Sequence, residues 1–296
     1  MILEETFTLA NGVAVPKLGL GTWRIDDADA VRVVREAIAV GYRHMDTAQA
    51  YGNERGVGEG LRASGIDRNA LFVTTKLVAE SKTYHDAVAR IDGSLTTLGL
   101  DHIDLMLIHS PQPWAEFRDG EHFFEGNAEA WRALEDAYRA GKLRSIGVSN
   151  FERADIENLI ATGGITPMVN QVLAHVGNMP FDLIEYCGSK DMLVEAYSPV
   201  AHGAALGDAG LAEVAARYDV SVAQLCIRYC LQHGLMPLPK TATTEHMREN
   251  AAVDFVITEA DMAALDGARR DTDYGEASAF PVFGKKRLAE TVGQAT

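Results

Sequence analysis

Four side chains within the first 109 residues have the right types to move a proton: Asp46, Tyr51, Lys76 and His109. A phenol with an unperturbed pKa of about 10 is a poor acid at neutral pH. An ammonium beside it stabilises the phenolate and lowers that value, and a carboxylate can hold the ammonium in place. On this logic Tyr51, Lys76 and Asp46 form a proton-donating unit, and a neutral His109 adds a second hydrogen bond to the same substrate oxygen. The set suits protonating a carbonyl oxygen while something else attacks the carbonyl carbon. No side chain looks like a strong nucleophile, so the expected attacker is a hydride from a cofactor.

Each residue alone has a plainer explanation. An Asp followed by Thr at a strand end caps a helix or a turn, a lone strand-end Lys is usually solvated, and His109-Ser110 before "PQP" reads as a loop. The chemical reading rests on their falling together on one rim, which the fold must supply.

Short β-rich apolar runs recur at 16–22, 42–47, 71–76, 103–109, 143–149, 167–172, 192–198 and 234–240. Between them lie stretches with helical spacing, such as "DADAVRVVREAIAVG" and "HDAVARIDGSLTTLGL", the latter with Val88, Ile91, Leu95 and Leu98 on one stripe. Eight strand–helix units without a composition break predict one α/β domain over 1–296, a closed (β/α)8 TIM barrel. Asn11-Gly12 between two short β-like runs predicts an N-terminal β-hairpin capping the bottom of the barrel. The tail 271–296 reads as a C-terminal substrate loop carrying Phe280 and Phe283. In such a barrel function gathers at the carboxyl ends of the strands. There the sequence delivers Asp46 and Tyr51, Lys76, His109, Ser149 and Asn150, Asn170 and Gln171, Tyr197 and Ser198, then Lys240 and Thr241.

The formal charge of −15, from 27 basic against 42 acidic residues, makes nucleic acid and anionic lipid poor partners. The amino-terminal stretch lacks the form of a secretory signal, and no apolar run has membrane-spanning length. Cys187, Cys226 and Cys230 read as buried free thiols in a cytoplasmic protein, and no His and carboxylate cluster has metal-ligand spacing.

The stretch "GYRHMDTAQAYGNERGVGEGL" resembles the long signature of the aldo-keto reductases, and the likeness runs in order through "TTK", "DLMLIH", "GKLRSIGVSNF", "NQV", "AYSP" and "LPKTATTEHMREN", residues 12 to 257. The resemblance, closest to the bacterial 2,5-diketo-gluconate reductase-like branch, implies NADPH-dependent reduction of aldehydes and ketones by a monomer acting on a small carbonyl substrate. Tyr51 would be the general acid, Lys76 and Asp46 its tuners and His109 the orienting group. It further implies that Ser149, Asn150 and Gln171 hold the nicotinamide carboxamide and that Tyr197 stacks on its ring. Ser198, Pro199 and Val200 would cover the pyrophosphate, with Lys240, Thr241 and Thr243 facing the adenosine phosphate and Glu249 and Asn250 near the adenine.

Two departures carry consequences. His246 stands where the family commonly has Arg. A neutral imidazole cannot make a bidentate phosphate clamp, so weaker discrimination against NADH is expected. Ser110 stands where Trp is frequent, which predicts a roomier carbonyl pocket lined by Trp23, Ser110, Trp114 and Phe280. A third, the absence of Glu and His-Pro after Gln171, carries no functional conclusion.

Three rivals compete. Gly52, Gly56 and Gly58 with Tyr186 and Lys190 imitate a short-chain dehydrogenase, but Leu173 and Ala174 occupy the place of its serine and Gly188 interrupts the helix. Those glycines instead predict close packing of the second helix on the barrel. Gly147-Val148-Ser149-Asn150-Phe151 falls one glycine short of a hydrolase nucleophile elbow. A non-catalytic NAD(P)H-binding barrel, a redox sensor or regulatory subunit, would keep the cofactor residues and lose one of the proton-handling four; all four are present.

Overall fold

The computed structural model describes residues 1–268 and 273–284; the remainder of the predicted tail, 271–272 and 285–296, lies outside them. Strands β1 (Thr6–Thr8) and β2 (Ala14–Pro16) pair antiparallel as the expected hairpin, with Gly12 at φ +85° in its loop. That loop is tied to the lower end of the barrel, Asn11 donating to the Arg144 carbonyl at 2.9 Å.

Eight parallel strands follow: β3 (Leu20–Gly21), β4 (His44–Asp46), β5 (Phe72–Leu77), β6 (Leu105–Ile108), β7 (Ile146–Ser149), β8 (Val169–Leu173), β9 (Leu193–Tyr197) and β10 (Met236–Leu238). Each pairs in register with its sequence neighbour, and a parallel bridge between Gly21 and Lys240 brings the last strand back to the first. The Gly19 and Gly21 amides donate to the Pro237 and Pro239 carbonyls across that seam. The eight apolar runs are thus eight strands of a (β/α)8 barrel. All fall within a residue of the predicted runs, although β3 keeps only two residues of its run as strand.

Helices α1 (Asp27–Val40), α2 (Glu54–Ala63), α3 (Tyr84–Leu98), α4 (Phe124–Arg139), α5 (Arg153–Thr162) and α6 (Phe181–Gly188) alternate with the strands. Then come α7 (Ala209–Ala216), α8 (Val222–Gln232), α9 (Thr244–Ala251) and α10 (Glu259–Asp266). Their ends follow from local chemistry. Thr83 caps α3 by accepting the Asp86 amide, Gly99 ends it in the left-handed conformation, and Ser221 with Gln224 closes a capping box on α8.

The glycines of α2 press on helices rather than on the barrel as expected. A Cβ at Gly56 would stand 1.9 Å from the Asp27 carbonyl oxygen of α1, and one at Gly58 would stand 2.0 Å from that of Leu98 in α3. Any side chain there would push three helices apart. The phosphate-loop look of this stretch is a packing requirement. Among the described residues no helix is long and apolar enough to cross a membrane.

Candidate active site

The period-two alternation of a strand puts Asp46 on the same face as His44, Lys76 with Thr74, Gln171 with Val169, and Glu195 with Tyr197. The bond from Gln171 to Asp46 crosses between β8 and β4, which are not neighbours, so this face is the barrel interior. Lys76, with no solvent exposure, donates to Asp46 Oδ1 at 2.6 Å, to the Thr47 carbonyl at 2.9 Å and to the Tyr51 hydroxyl at 3.4 Å. The second Asp46 oxygen accepts from Gln171 Nε2 at 2.9 Å, and that nitrogen also donates to Glu195 at 2.7 Å. An ammonium this deep is tolerable because a carboxylate and two oxygens surround it.

Tyr51 follows β4 on a short turn ended by Gly52 at φ +69°. Asn53 anchors that turn: its amide donates to the Thr22 and Ile25 carbonyls, both at 2.9 Å, and its oxygen accepts from Thr47 at 2.6 Å. Glu54 accepts from Thr75 at 2.6 Å, fastening α2 to the outer side of β5. The Tyr51 ring meets the His109 ring edge-on at 5.6 Å, and Trp114 extends the wall at 5.1 Å from His109.

Burial, assisted by the Lys76 charge, holds His109 well below the usual histidine value, so its ring is neutral. Burial also pulls on Lys76, but Asp46 and Tyr51 together carry its ammonium above the usual lysine value. The expectation for Tyr51 is corrected here. Burial raises the phenol above its ordinary value, and although Lys76 pulls it down, desolvation outweighs the cation. The hydroxyl is a dry donor held beside a cation, not a pre-acidified one.

The next sector of the rim is tied together. Asn150, left-handed at φ +61°, donates to the His109 carbonyl and to the Ser149 hydroxyl, both at 3.1 Å. Its oxygen accepts from Tyr197 at 2.7 Å. Beyond β9 the chain turns through Ser198, Ala201 and His202, all with positive φ, past Pro199 and Val200. Trp23 meets His202 at 5.0 Å and Phe280 at 4.9 Å, while buried Phe283 lies 4.3 Å from His202 and 6.2 Å from Tyr197. The described part of the tail therefore lies over the carboxyl end of the barrel. Ser110 is fully buried beneath the loop after β6, its hydroxyl accepting from the Gln112 amide at 3.3 Å and its carbonyl from Lys82 at 3.0 Å.

Lys240 follows β10, exposed and without an ion pair among the described residues. Thr241 accepts from the Thr243 amide at 3.1 Å, just where α9 begins, and Thr243, His246 and Glu249 are exposed while Asn250 is buried. A free cation beside a helix amino terminus is an anion-binding arrangement, so these residues fit a phosphate-bearing cofactor. Tyr186 on α6 and Lys190 in the turn after it stand apart from all of this, the Lys190 ammonium lying over the Tyr186 ring.

A family model described as "Aldo/keto reductase family" matches residues 17–270. The chain belongs to that family. This aldo/keto reductase is 40% identical over 279 residues to an uncharacterized oxidoreductase, YtbE, of Bacillus subtilis, covering 92% of this chain and 96% of that one. It is 38% identical over 275 residues to the glyoxal reductase of the same organism, covering 92% and 96%. Among solved structures, an aldo/keto reductase from Brucella melitensis superposes with a TM-score of 0.84 at 38% identity over 90% of this chain and 98% of its own. A Bombyx mori aldo-keto reductase in complex with NADP superposes with a TM-score of 0.82 at 32% identity, covering 95% and 99%. The protein is accordingly an NAD(P)H-dependent oxidoreductase with carbonyl compounds as its substrate class.

Sequence reasoning passed over Thr22 and Glu195 and gave Asn53 no role of its own. Asn53 stands inside the quoted signature and Glu195 stands two residues before Tyr197, so strand alternation alone puts it on the same inner face.

Proposed function

We propose that this aldo/keto reductase reduces an aldehyde or ketone to the alcohol with NADPH, and that Tyr51 gives the proton. When bound, the reduced nicotinamide supplies the hydride to the carbonyl carbon. The observation that carries the reading is a single buried ammonium, Lys76, within hydrogen-bond reach of both the Asp46 carboxylate and the Tyr51 hydroxyl.

In this mechanism neutral His109 and the Tyr51 hydroxyl hold the substrate oxygen between them. As the oxygen gains charge, the Tyr51 proton moves to it and Lys76 stabilises the phenolate left behind, with Asp46 holding Lys76 in place. An alkoxide is a far stronger base than a phenolate, so the transfer runs downhill even from a phenol whose pKa burial has raised. Ser149, Asn150 and Gln171 would hold the carboxamide, Tyr197 would stack on the ring, and Ser198, Pro199 and Val200 would border the pyrophosphate. Lys240, Thr241 and Thr243 take the adenosine phosphate, with Glu249 and Asn250 beside the adenine. Trp23, Trp114 and Phe280 form the apolar part of the substrate funnel, with the Trp114 ring 5.1 Å from His109, while Ser110 lies buried beneath the loop after β6 and gives the funnel no added room. Cys187, Cys226 and Cys230, free and buried, fit a reducing cytoplasm; the protein acts as a monomer.

A panel of glyoxal, other aldehydes, keto sugars, α-ketoesters and bulky ketones, followed by NADPH absorbance, tests the activity. Turnover of at least one class is expected. Cofactor binding without consumption of any carbonyl compound would replace this reading with the non-catalytic barrel. The same assay with NADH tests His246: the preference for NADPH in kcat/KM should rise on His246→Arg, by roughly tenfold for one added charge-assisted contact. No change would remove His246 from cofactor choice.

A further inference from the structure

One buried acid has no part in the chemistry above. Glu195 on β9 has no solvent exposure, and its Oε1 has no hydrogen-bond partner among the described residues. Its Oε2 accepts from Gln171 Nε2 at 2.7 Å, the nitrogen that also serves Asp46 at 2.9 Å. One amide nitrogen, with one hydrogen for each, thus holds two carboxyl groups within about 6 Å of each other in the dry interior. Asp46 has Lys76 to neutralise it, whereas Glu195 has only its share of an uncharged amide.

We propose that Glu195 is a positioning residue for this site, carrying a proton of its own so that Asp46 stays the sole carboxylate beside Lys76, and fixing through Gln171 which end of that amide faces the carboxyl groups. With the nitrogen end committed to Asp46 and Glu195, the carbonyl end of Gln171 is left for the rim. The inference rests on the reading of Tyr51 as acid, because it matters only if the charge around Lys76 governs Tyr51. Burial, and then the Asp46 charge, push Glu195 up to about 8, against the pulls of Gln171 and Lys76. Asp46 on β4 and Lys76 on β5 are the charged groups that act on it; its partner on β8 is uncharged Gln171, and its register neighbour on β10 is Met236.

Ionising Glu195 sets two carboxylates against one amide and adds a negative charge near Lys76. That charge disfavours the Tyr51 phenolate and weakens Tyr51 as a donor. Tyr51 and Lys76 are held above their ordinary values and His109 far below its own, so none of them titrates between pH 7 and 9. Lys82, pulled down by burial to about 7, does titrate there, but it lies under the loop after β6 and its titration persists when Glu195 is replaced.

The test compares the ratio of kcat for carbonyl reduction at pH 9 to that at pH 6.5 in the unmodified protein and in Glu195→Gln. The ratio should fall roughly tenfold in the unmodified protein, one pKa unit of lost acidity, and less than about twofold in the variant. Melting temperature gives an independent reading. A raised folded-state pKa is stability present below about pH 4.5 and lost as pH rises through 8, so the unmodified protein should lose more melting temperature from pH 5 to 9 than Glu195→Gln. Should the variant not fold, infrared difference spectra of the unmodified protein between pH 6.5 and 9 should show a protonated-carboxyl stretch disappearing. Identical pH ratios and melting slopes in the two proteins, or no such band, would overturn the inference while Tyr51 remains the acid. Absence of any turnover in the unmodified protein is a separate result, and it sinks the reading together with this inference.

Discussion

The two ends of the barrel each bury a carboxylate among cations, and the cations at the two ends differ in kind. At the amino end Asp104, fully buried, accepts from Arg68 and Arg144, both at 2.6 Å, and from the Val73 amide at 2.9 Å. At the carboxyl end Asp46 accepts from Lys76 and from Gln171. The partners of Asp104 are guanidiniums that reach solvent, 23% and 42% exposed, and they keep their charge at any ordinary pH. The partner of Asp46 is an ammonium with no exposure, and it also reaches a phenol. Permanent charges open to water make a brace. A sealed cation beside a titratable hydroxyl makes a site where a proton can be moved.

The contrast can be broken from either side. Lys76→Met should lower kcat by two orders of magnitude or more, since in the proposed mechanism it removes the group that stabilises the phenolate. It should also destabilise the fold by about 3–5 kcal/mol, because Asp46 would be left buried and unpaired. A variant with full turnover would show that the cation is only a brace. Asp104→Asn should do the reverse, lowering stability by about 2–3 kcal/mol, a figure discounted for the solvated guanidiniums, with kcat per folded molecule unchanged. Loss of turnover in a folded Asp104→Asn protein would join the two ends functionally.

The smallest effect sharpens the comparison with a neutral group. His44, on the same inner face as Asp46, contacts Thr74 at 2.8 Å, and burial pulls it down to about 3. A depressed folded-state value is stability present above about pH 6.5 and lost as pH falls toward 3. Urea unfolding at pH 6.5 and 4.5 should show the unmodified protein losing about 2 kcal/mol more than His44→Gln. Equal losses would mean that His44 accepts a proton inside the barrel.

Much of this was legible because the barrel repeats a local rule. A short β-rich run ending in a polar residue occurs seven times, and the eighth, 167–172, carries its polar Gln171 one place before the end; each run contains a strand that brings these residues to the carboxyl half of the barrel. What stayed hidden depends on register across the barrel. Asp46 and Gln171 lie 125 residues apart and meet only because β4 and β8 face each other through the interior. The rise in the Tyr51 pKa was hidden for a related reason. A neighbouring cation can be read from residue types, but the depth of burial that outweighs it is a property of the closed barrel. The α2 glycines were legible as a close approach, though not as one to Asp27 and Leu98, since the helices that flank α2 follow from closure.

The central claim is that one hydroxyl donates the proton, and Tyr51→Phe removes that hydroxyl while keeping the ring against His109. Titrating NADPH into the variant by fluorescence and measuring kcat on the best carbonyl substrate tests it directly. The account predicts cofactor affinity within about threefold of the unmodified protein and kcat lower by roughly 10²–10⁴. A variant that binds NADPH normally and turns over at an undiminished rate would contradict it.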